Sequence, residues 1–178
     1  VEMRTPYEES SRVPLLVRAP WLTRSQARID GNFSQIDFFP TLLDLLGENA
    51  PNGLPGESRG EVLRGRVDLR DNDVFIQHNG IGDRDLTSAS SSHSMSPERV
   101  RQLNWLKTVP WRSVVTSDRW KLTLCAADQG ELFDLNSDPS EVTNLFDRPE
   151  HRDRVRWMTA RLRLWQEEVG DTASLPSV

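Results

Sequence analysis

The side chains best equipped for chemistry are few. His78, Asp83, Asp85 and His93 fall close together on one serine-rich stretch, and imidazole with carboxylate is a donor mixture that suits a divalent metal. Their spacing fits no established zinc frame, so a solvated loop competes with the metal reading and no metal ligand is assigned. Asp71-Asn72-Asp73 brings two carboxylates together but lacks the glycine and the distant glutamate of an EF-hand loop. Cys125 is the single cysteine, which excludes an internal disulfide and any multi-cysteine metal site. It ends an apolar run and reads as a buried, inert thiol rather than a nucleophile. None of His78, His93 and His151 has an adjacent partner that makes a triad, and no serine is read as sitting in a G-x-S-x-G elbow.

These groups can act only where the elements around them hold them. Val13-Pro14-Leu15-Leu16-Val17 is continuously apolar, the pattern of a strand covered on both faces of an α/β sheet, with Pro14 at its start. Ser34 followed three positions later by Asp37 predicts a capped helix start. Ile36, Phe39, Leu42, Leu43 and Leu46 then recur at helical spacing until Gly47, with Pro40 offsetting the first turn. Glu48 to Gly60 reads as a loop, Asp73 to Gln77 as a buried strand, and Gly80 to Pro97 as a long loop that is either functional or solvated.

Ser113–Thr116, Trp120–Leu124 and Glu131–Leu135 are three short strands with turn-like separators, hence an antiparallel meander. Asp147 with Glu150 forms a capping-box pattern around Pro149. Val155, Met158, Leu162, Trp165 and Val169 make one apolar stripe on a helix of about five turns, expected to pack on the meander. Met158 and Trp165 are therefore core residues. Gly170 to Val178 reads as a loose tail.

Composition narrows the function classes. A chain of 178 residues, 36% apolar, can bury the core of one domain or of half a larger one. No apolar run approaches the roughly eighteen residues of a membrane span, so a soluble protein of the bacterial cytoplasm or periplasm is expected. A net charge of -5 argues against nucleic acid as the main partner. Only Lys107 and Lys121 are lysines, and the arginines are spread over the whole length, which reads as coding bias rather than as a binding patch. Asn32-Phe33-Ser34 matches a glycosylation acceptor by itself and decides nothing. The start at Val1-Glu2-Met3 lacks a signal-peptide core and reads as a processed chain or a fragment.

Four segments share one resemblance. Tyr7-Glu8-Glu9-Ser10-Ser11-Arg12-Val13-Pro14 resembles the YEE-x-x-R-V-P segment of the formylglycine-dependent sulfatases. Asp37-Phe38-Phe39-Pro40-Thr41-Leu42-Leu43-Asp44-Leu45-Leu46-Gly47 resembles their D-x-x-PTLLDLxG helix. Arg119-Trp120-Lys121-Leu122 resembles R-x-KL. The segment from Glu131 to Leu145 resembles ELYDLxxDPxExxNL. The four occur in the family's order and cover nearly the whole chain.

The resemblance implies an α/β class fold: the carboxyl-terminal part of an alkaline-phosphatase-like fold, with a small antiparallel sheet packed by a terminal helix. Residues 1–70 would close the large α/β domain. Residues 71–178 would form a subdomain with the long loop 80–97 and the terminal helix 148–169. It also implies a sulfuric ester hydrolase that, when complete, uses formylglycine and calcium on a sulfate ester or sulfated sugar. The C-x-P-S-R nucleophile motif and the calcium carboxylates are absent from this sequence, so the chain alone is expected to be inactive and to bind no calcium. A family lysine that contacts the sulfate stands four residues before the tyrosine of YEE, and here that position is Met3. Either Met3 occupies the clamp position, where a thioether cannot donate to sulfate, or the register is shifted by one and Arg4 fills it.

Glu8, Glu9 and Arg12 are read as an ion-pair lattice at the strand entry. His78 and His93 are the candidates for a substrate-binding wall. Two alternatives stand beside the sulfatase reading: a phosphate or phosphonate ester hydrolase of the same fold, and a non-catalytic sulfatase-like binding module.

Overall fold

A computed structural model describes residues 5–22, 28–80, 109–126 and 129–178. Four α-helices are described: α1 (Glu8–Ser11), α2 (Phe38–Leu46), α3 (Gly60–Leu63) and α4 (Arg152–Val169). The described strands are β1 (Val74–His78), β2 (Trp111–Val115), β3 (Trp120–Cys125) and β4 (Glu131–Asp134). Short 3₁₀ turns at Gln35–Asp37 and Pro149–His151 lead into α2 and α4. The chain divides into two compact units. One comprises Val1–Val13, Phe75–Val114 and Arg119–Val178, and the other Pro14–Val74 with Val115–Asp118.

The first unit is built on a four-stranded antiparallel sheet in the order β1-β2-β3-β4. The β3–β4 register pairs Trp120 with Asp134, Lys121 with Phe133, Leu122 with Leu132 and Thr123 with Glu131. Side chains alternate across a sheet, so Leu122, Leu124 and Leu132 share one face while Lys121, Thr123 and Phe133 share the other. On the first face α4 lays down Val155, Met158 and Leu162, which with Val114 and the three leucines form the core. Met158 and Leu162 are fully buried, each contributing about 1.5–3 kcal/mol. Trp165 lies at the margin and stacks on Phe75 with ring centroids 5.3 Å apart.

Several local expectations need correction. Val169 is 52% exposed, because the helix outruns the sheet at that turn. The Asp147 capping box does not form: its carboxylate instead accepts a hydrogen bond from the Gln129 amide, although Pro149 does open the 3₁₀ turn. β1 begins one residue later than expected and is only half buried, as befits the edge of the sheet. The tail is not loose where it leaves α4. Gly170 adopts φ 67, the left-handed conformation that suits glycine, and Asp171 folds back onto Arg112 while Leu175 packs at the core margin.

In the second unit α2 forms as its spacing predicts and ends at Gly47 with φ 77. Ser34 provides no side-chain cap. Asp37, 3% exposed, instead accepts the Glu57 backbone N–H at 2.9 Å and Arg59 Nε at 2.8 Å, tying the loop after α2 back to the helix start. Thr41 Oγ1 continues the tie by accepting the Arg59 N–H at 2.8 Å. The apolar stripe of α2 is not covered: Ile36, Phe39 and Leu46 are all more than half exposed. Nor do residues 13–17 form a strand, and Leu16 is 93% exposed. Among the described residues no strand lies beside them, and a lone extended segment has nothing to complete its backbone hydrogen bonds. Asn32 donates its amide to the carbonyls of Asn72, Val115 and Thr116 at 3.1–3.2 Å, so that amide is a structural bracket here.

Candidate functional site

The best-defined polar centre lies on the sheet face away from α4. Lys121 sits mid-strand in β3 with its side chain 1% exposed, and its ammonium meets Glu141 Oε1 at 2.9 Å and Glu8 Oε1 at 3.1 Å. Ser11 Oγ lies 3.4 Å away. Glu141 Oε2 also accepts the Glu8 backbone N–H. Beside this knot Tyr7 donates its hydroxyl to Glu131 at 2.9 Å and sets its ring edge-on to Phe133 at 6.4 Å. The segment Tyr7–Ser11 thus roofs the second face of the sheet, explaining why β3 is buried on both sides.

Glu141 reaches Lys121 at a backbone cost. Its φ is 54, a left-handed conformation that a residue with a Cβ rarely adopts. The turn before it is over-determined: Asp138 Oδ2 accepts the Thr143 N–H at 2.8 Å, and Asp138 in turn donates its N–H to the Asp134 carbonyl at 2.8 Å. Burial would raise the Asp134 pKa, but donors from Asn136 and Ser137 outweigh it and hold it below the ordinary value. Asn144 finishes the segment as a surrogate strand, accepting the Leu132 N–H at 3.0 Å and donating to the Gly130 carbonyl at 3.0 Å. Arg119, also left-handed at φ 66, closes the β2–β3 turn and accepts the Leu135 N–H at 2.9 Å through its carbonyl.

A second buried pair holds the opposite edge. Arg112, 1% exposed, clamps Asp171 with two bonds of 2.7 Å. It also donates to the His78 carbonyl at 2.7 Å and to Asn79 Oδ1 at 2.8 Å. Those bonds, led by Arg112 and joined by Gln166, lower the Asp171 pKa well below the usual carboxylate range. His78 is half buried at the end of β1 with its ring stacked on Trp111 at 5.2 Å.

The expected site residues fare unequally. Of the predicted lattice, Glu8 is engaged, whereas Glu9 and Arg12 are exposed. Cys125 is buried at the end of β3. Asp73 accepts the Ser117 N–H at 2.8 Å, a turn role, and Asp71 is exposed. Among the described residues no three His, Cys, Asp or Glu side chains converge to hold an ion. Met3, Arg4, Asp83, Asp85, His93 and the loop from residue 81 to 97 lie outside the described residues.

Gly56-Glu57-Ser58-Arg59-Gly60 does carry the letters of a G-x-S-x-G elbow, which corrects the reading that no serine sits in one. It follows no strand, and Ser58 donates to Asp44, whose pKa is lowered by Arg64 and so makes a poor base. Lys121, Glu141, Arg112 and Asp171 were not foreseen as centres. A lysine between apolar strand residues was the signal available for the first, since such a charge needs a partner.

A family profile described as the C-terminal part of N-sulphoglucosamine sulphohydrolase matches residues 1–80. An arylsulfatase of Chlamydomonas reinhardtii is 30% identical over 92% of this chain and 27% of its own length. The human N-acetylglucosamine-6-sulfatase is 29% identical over 100% of this chain and 34% of its own. The chain is thus similar to the carboxyl-terminal part of sulfatases. A solved 2-O GAG sulfatase superposes with a TM-score of 0.56 at 23% identity, covering 80% of this chain and 27% of that one. The alkaline-phosphatase-like class assignment stands on that likeness. The chain spans about a third or less of these relatives' lengths, and three of the sulfatase-like motifs, through Glu8, Lys121 and Glu141, meet in one buried knot.

Proposed function

We propose that this chain serves as the carboxyl-terminal part of a sulfuric ester hydrolase acting on a sulfated sugar. The observation that carries the reading is the Lys121 knot, in which separate sulfatase-like motifs lock the amino-terminal segment to the small sheet. In this role the segment upstream of Tyr7 would deliver residue 3 or residue 4 to the sulfate as a cationic clamp, and His78 with His93 would line the substrate wall. Sulfate esters need such donors because negative charge accumulates on the transferring group and the leaving oxygen. Calcium and formylglycine, implied by the resemblance for the complete enzyme, find no ligand set or nucleophile motif among the described residues and would be supplied elsewhere. The names of relatives, among them an N-acetylglucosamine-6-sulfatase, support a sulfated sugar as the substrate class.

The test is expression of the complete reading frame and assay against an aryl sulfate, sulfated glucosamines and a phenyl phosphonate monoester. Preference for a sulfate ester is expected. Turnover of the phosphonate in preference to every sulfate would replace this reading with its phosphonate alternative. No turnover of any of them by a folded, complete protein would favour the binding module.

A further inference from the structure

The charge order of α4 is the reverse of what stabilises a helix. Acids favour the amino-terminal turns and bases the carboxyl-terminal turns, because of the partial charges at the helix ends. Here Arg152, Arg154, Arg156, Arg161 and Arg163 crowd the first two thirds against the lone Asp153, while Glu167 and Glu168 close the helix with no base in its last turn. Neither packing nor helix stability accounts for this order, since none of the core-facing residues, Val155, Met158, Leu162 and the marginal Trp165, is an arginine.

Three of these arginines, Arg152, Arg156 and Arg163, are exposed and lie on one side of the helix at i, i+4 and i+11, a strip about 16 Å long at 1.5 Å per residue. Their internal ties are weak: Arg156 meets Asp153 at 3.5 Å with both largely exposed, and Arg163 donates to the Pro176 carbonyl at 3.3 Å. Across the exposed surface Trp157, 46% exposed, carries the guanidinium groups of Arg154 and Arg161 over its ring at 5.7 and 5.1 Å. Arg154 also lies 5.0 Å from the Trp120 ring, so these two cations, on another side of the helix from the strip, are engaged by aromatic faces and the strip rests on Arg152, Arg156 and Arg163. A guanidinium is weakly hydrated and forks two donors onto an oxyanion, whereas an ammonium acts as a point charge.

We propose that the outer surface of α4 is a binding strip for a linear sulfated polysaccharide. A polyanion there relieves the repulsion among the arginines and complements a chain whose net charge elsewhere is acidic. The sulfatase reading supplies only the choice of a sulfated sugar over another polyanion. In the complete enzyme the strip would hold the polymer while its sulfates are presented in turn, raising the local substrate concentration.

The test is equilibrium binding of the 178-residue chain to dextran sulfate, to unsulfated dextran of equal length and to duplex DNA near physiological salt. Saturable binding to dextran sulfate is expected, with an affinity that falls as salt rises. The R152S/R156S/R163S variant should bind about tenfold more weakly and show a shallower salt dependence. Asp153→Asn, which removes the acid paired with Arg156, should bind more tightly. Helical circular dichroism should be unchanged in both, the substituted side chains being exposed. Equal binding by the triple variant, equal binding of unsulfated dextran, or DNA binding as tight as dextran sulfate would each overturn the proposal. Failure of the parent chain to bind dextran sulfate, with hydrolysis by the complete protein intact, sinks the strip alone; binding without any hydrolysis sinks the sulfatase reading alone.

Discussion

Burying an ammonium costs several kcal/mol unless carboxylates replace its hydration shell, and Lys121 has Glu141 at 2.9 Å and Glu8 at 3.1 Å in that role. Removing the cation leaves two carboxylates facing each other out of water. Lys121→Met is therefore expected to lower the unfolding free energy by about 3–5 kcal/mol, read from the urea midpoint. The triple variant Lys121→Met, Glu8→Gln, Glu141→Gln should recover much of that loss, since the buried charges go together. A single variant as stable as the parent would show that the knot contributes nothing net. Asp171 yields a pH prediction. Its pKa is lowered below 3.8 in the folded state, led by the Arg112 hydrogen bonds. The carboxylate form is thus favoured by folding, and its stabilisation is complete above the unfolded pKa and fades as pH falls below 3.8. Asp171→Asn should lower the thermal midpoint clearly at pH 7, and the gap to the parent should narrow in acid. A gap independent of pH would contradict this. Neither centre was legible from pattern alone, because the partners of Lys121 lie 113 and 20 positions away and the alternation of a strand records burial, not the identity of what covers it.

Helices α2 and α4 carry equally clear apolar periodicity, yet among the described residues only α4 meets a core with it. Its stripe meets Leu122, Leu124 and Leu132, whereas Phe39 on α2 is 51% exposed. Leu162→Ala should cost about 2–5 kcal/mol by leaving a cavity, and Phe39→Ser should cost less than about 0.5 kcal/mol in the isolated chain. If Phe39→Ser proves strongly destabilising there, α2 has a cover that the structure does not show. The contrast marks what a sequence discloses. Spacing announced both helices and their glycine stops, and turn residues announced β2, β3 and β4 to within two residues. The strand expected over residues 13–17 did not form, because hydrophobicity records a need for burial and a strand also needs neighbours to pair with. Capping patterns failed for a related reason. Asp37 and Asp147 had better tertiary partners in Arg59 and Gln129 than the helix ends they precede.

For the whole molecule, the exposed runs at residues 13–17 and on α2 match the reading that a larger sheet covers them in a complete sulfatase. The 178-residue chain is accordingly expected to bind a hydrophobic dye and to show no aryl sulfatase turnover. The same segment in the complete protein decides the role of its first residues. If Met3 occupies the clamp position, Met3→Lys should raise kcat/KM toward a sulfate ester, because an ammonium donates to oxygens where a thioether cannot. Loss of one preorganised donor typically costs about 10²–10³ in rate, so a substantial part of that is open to recovery. If the register places Arg4 there, Arg4→Ala should be severe and Met3→Lys nearly silent. The Lys121 knot predicts a further asymmetry. Lys121→Met should depress kcat even in protein that remains folded at low temperature, since it frees the segment that carries both residues, and Lys121→Arg should restore part of it. Unchanged kinetics in all four variants would place residues 3 and 4 away from the sulfate and leave the knot a purely structural fastening.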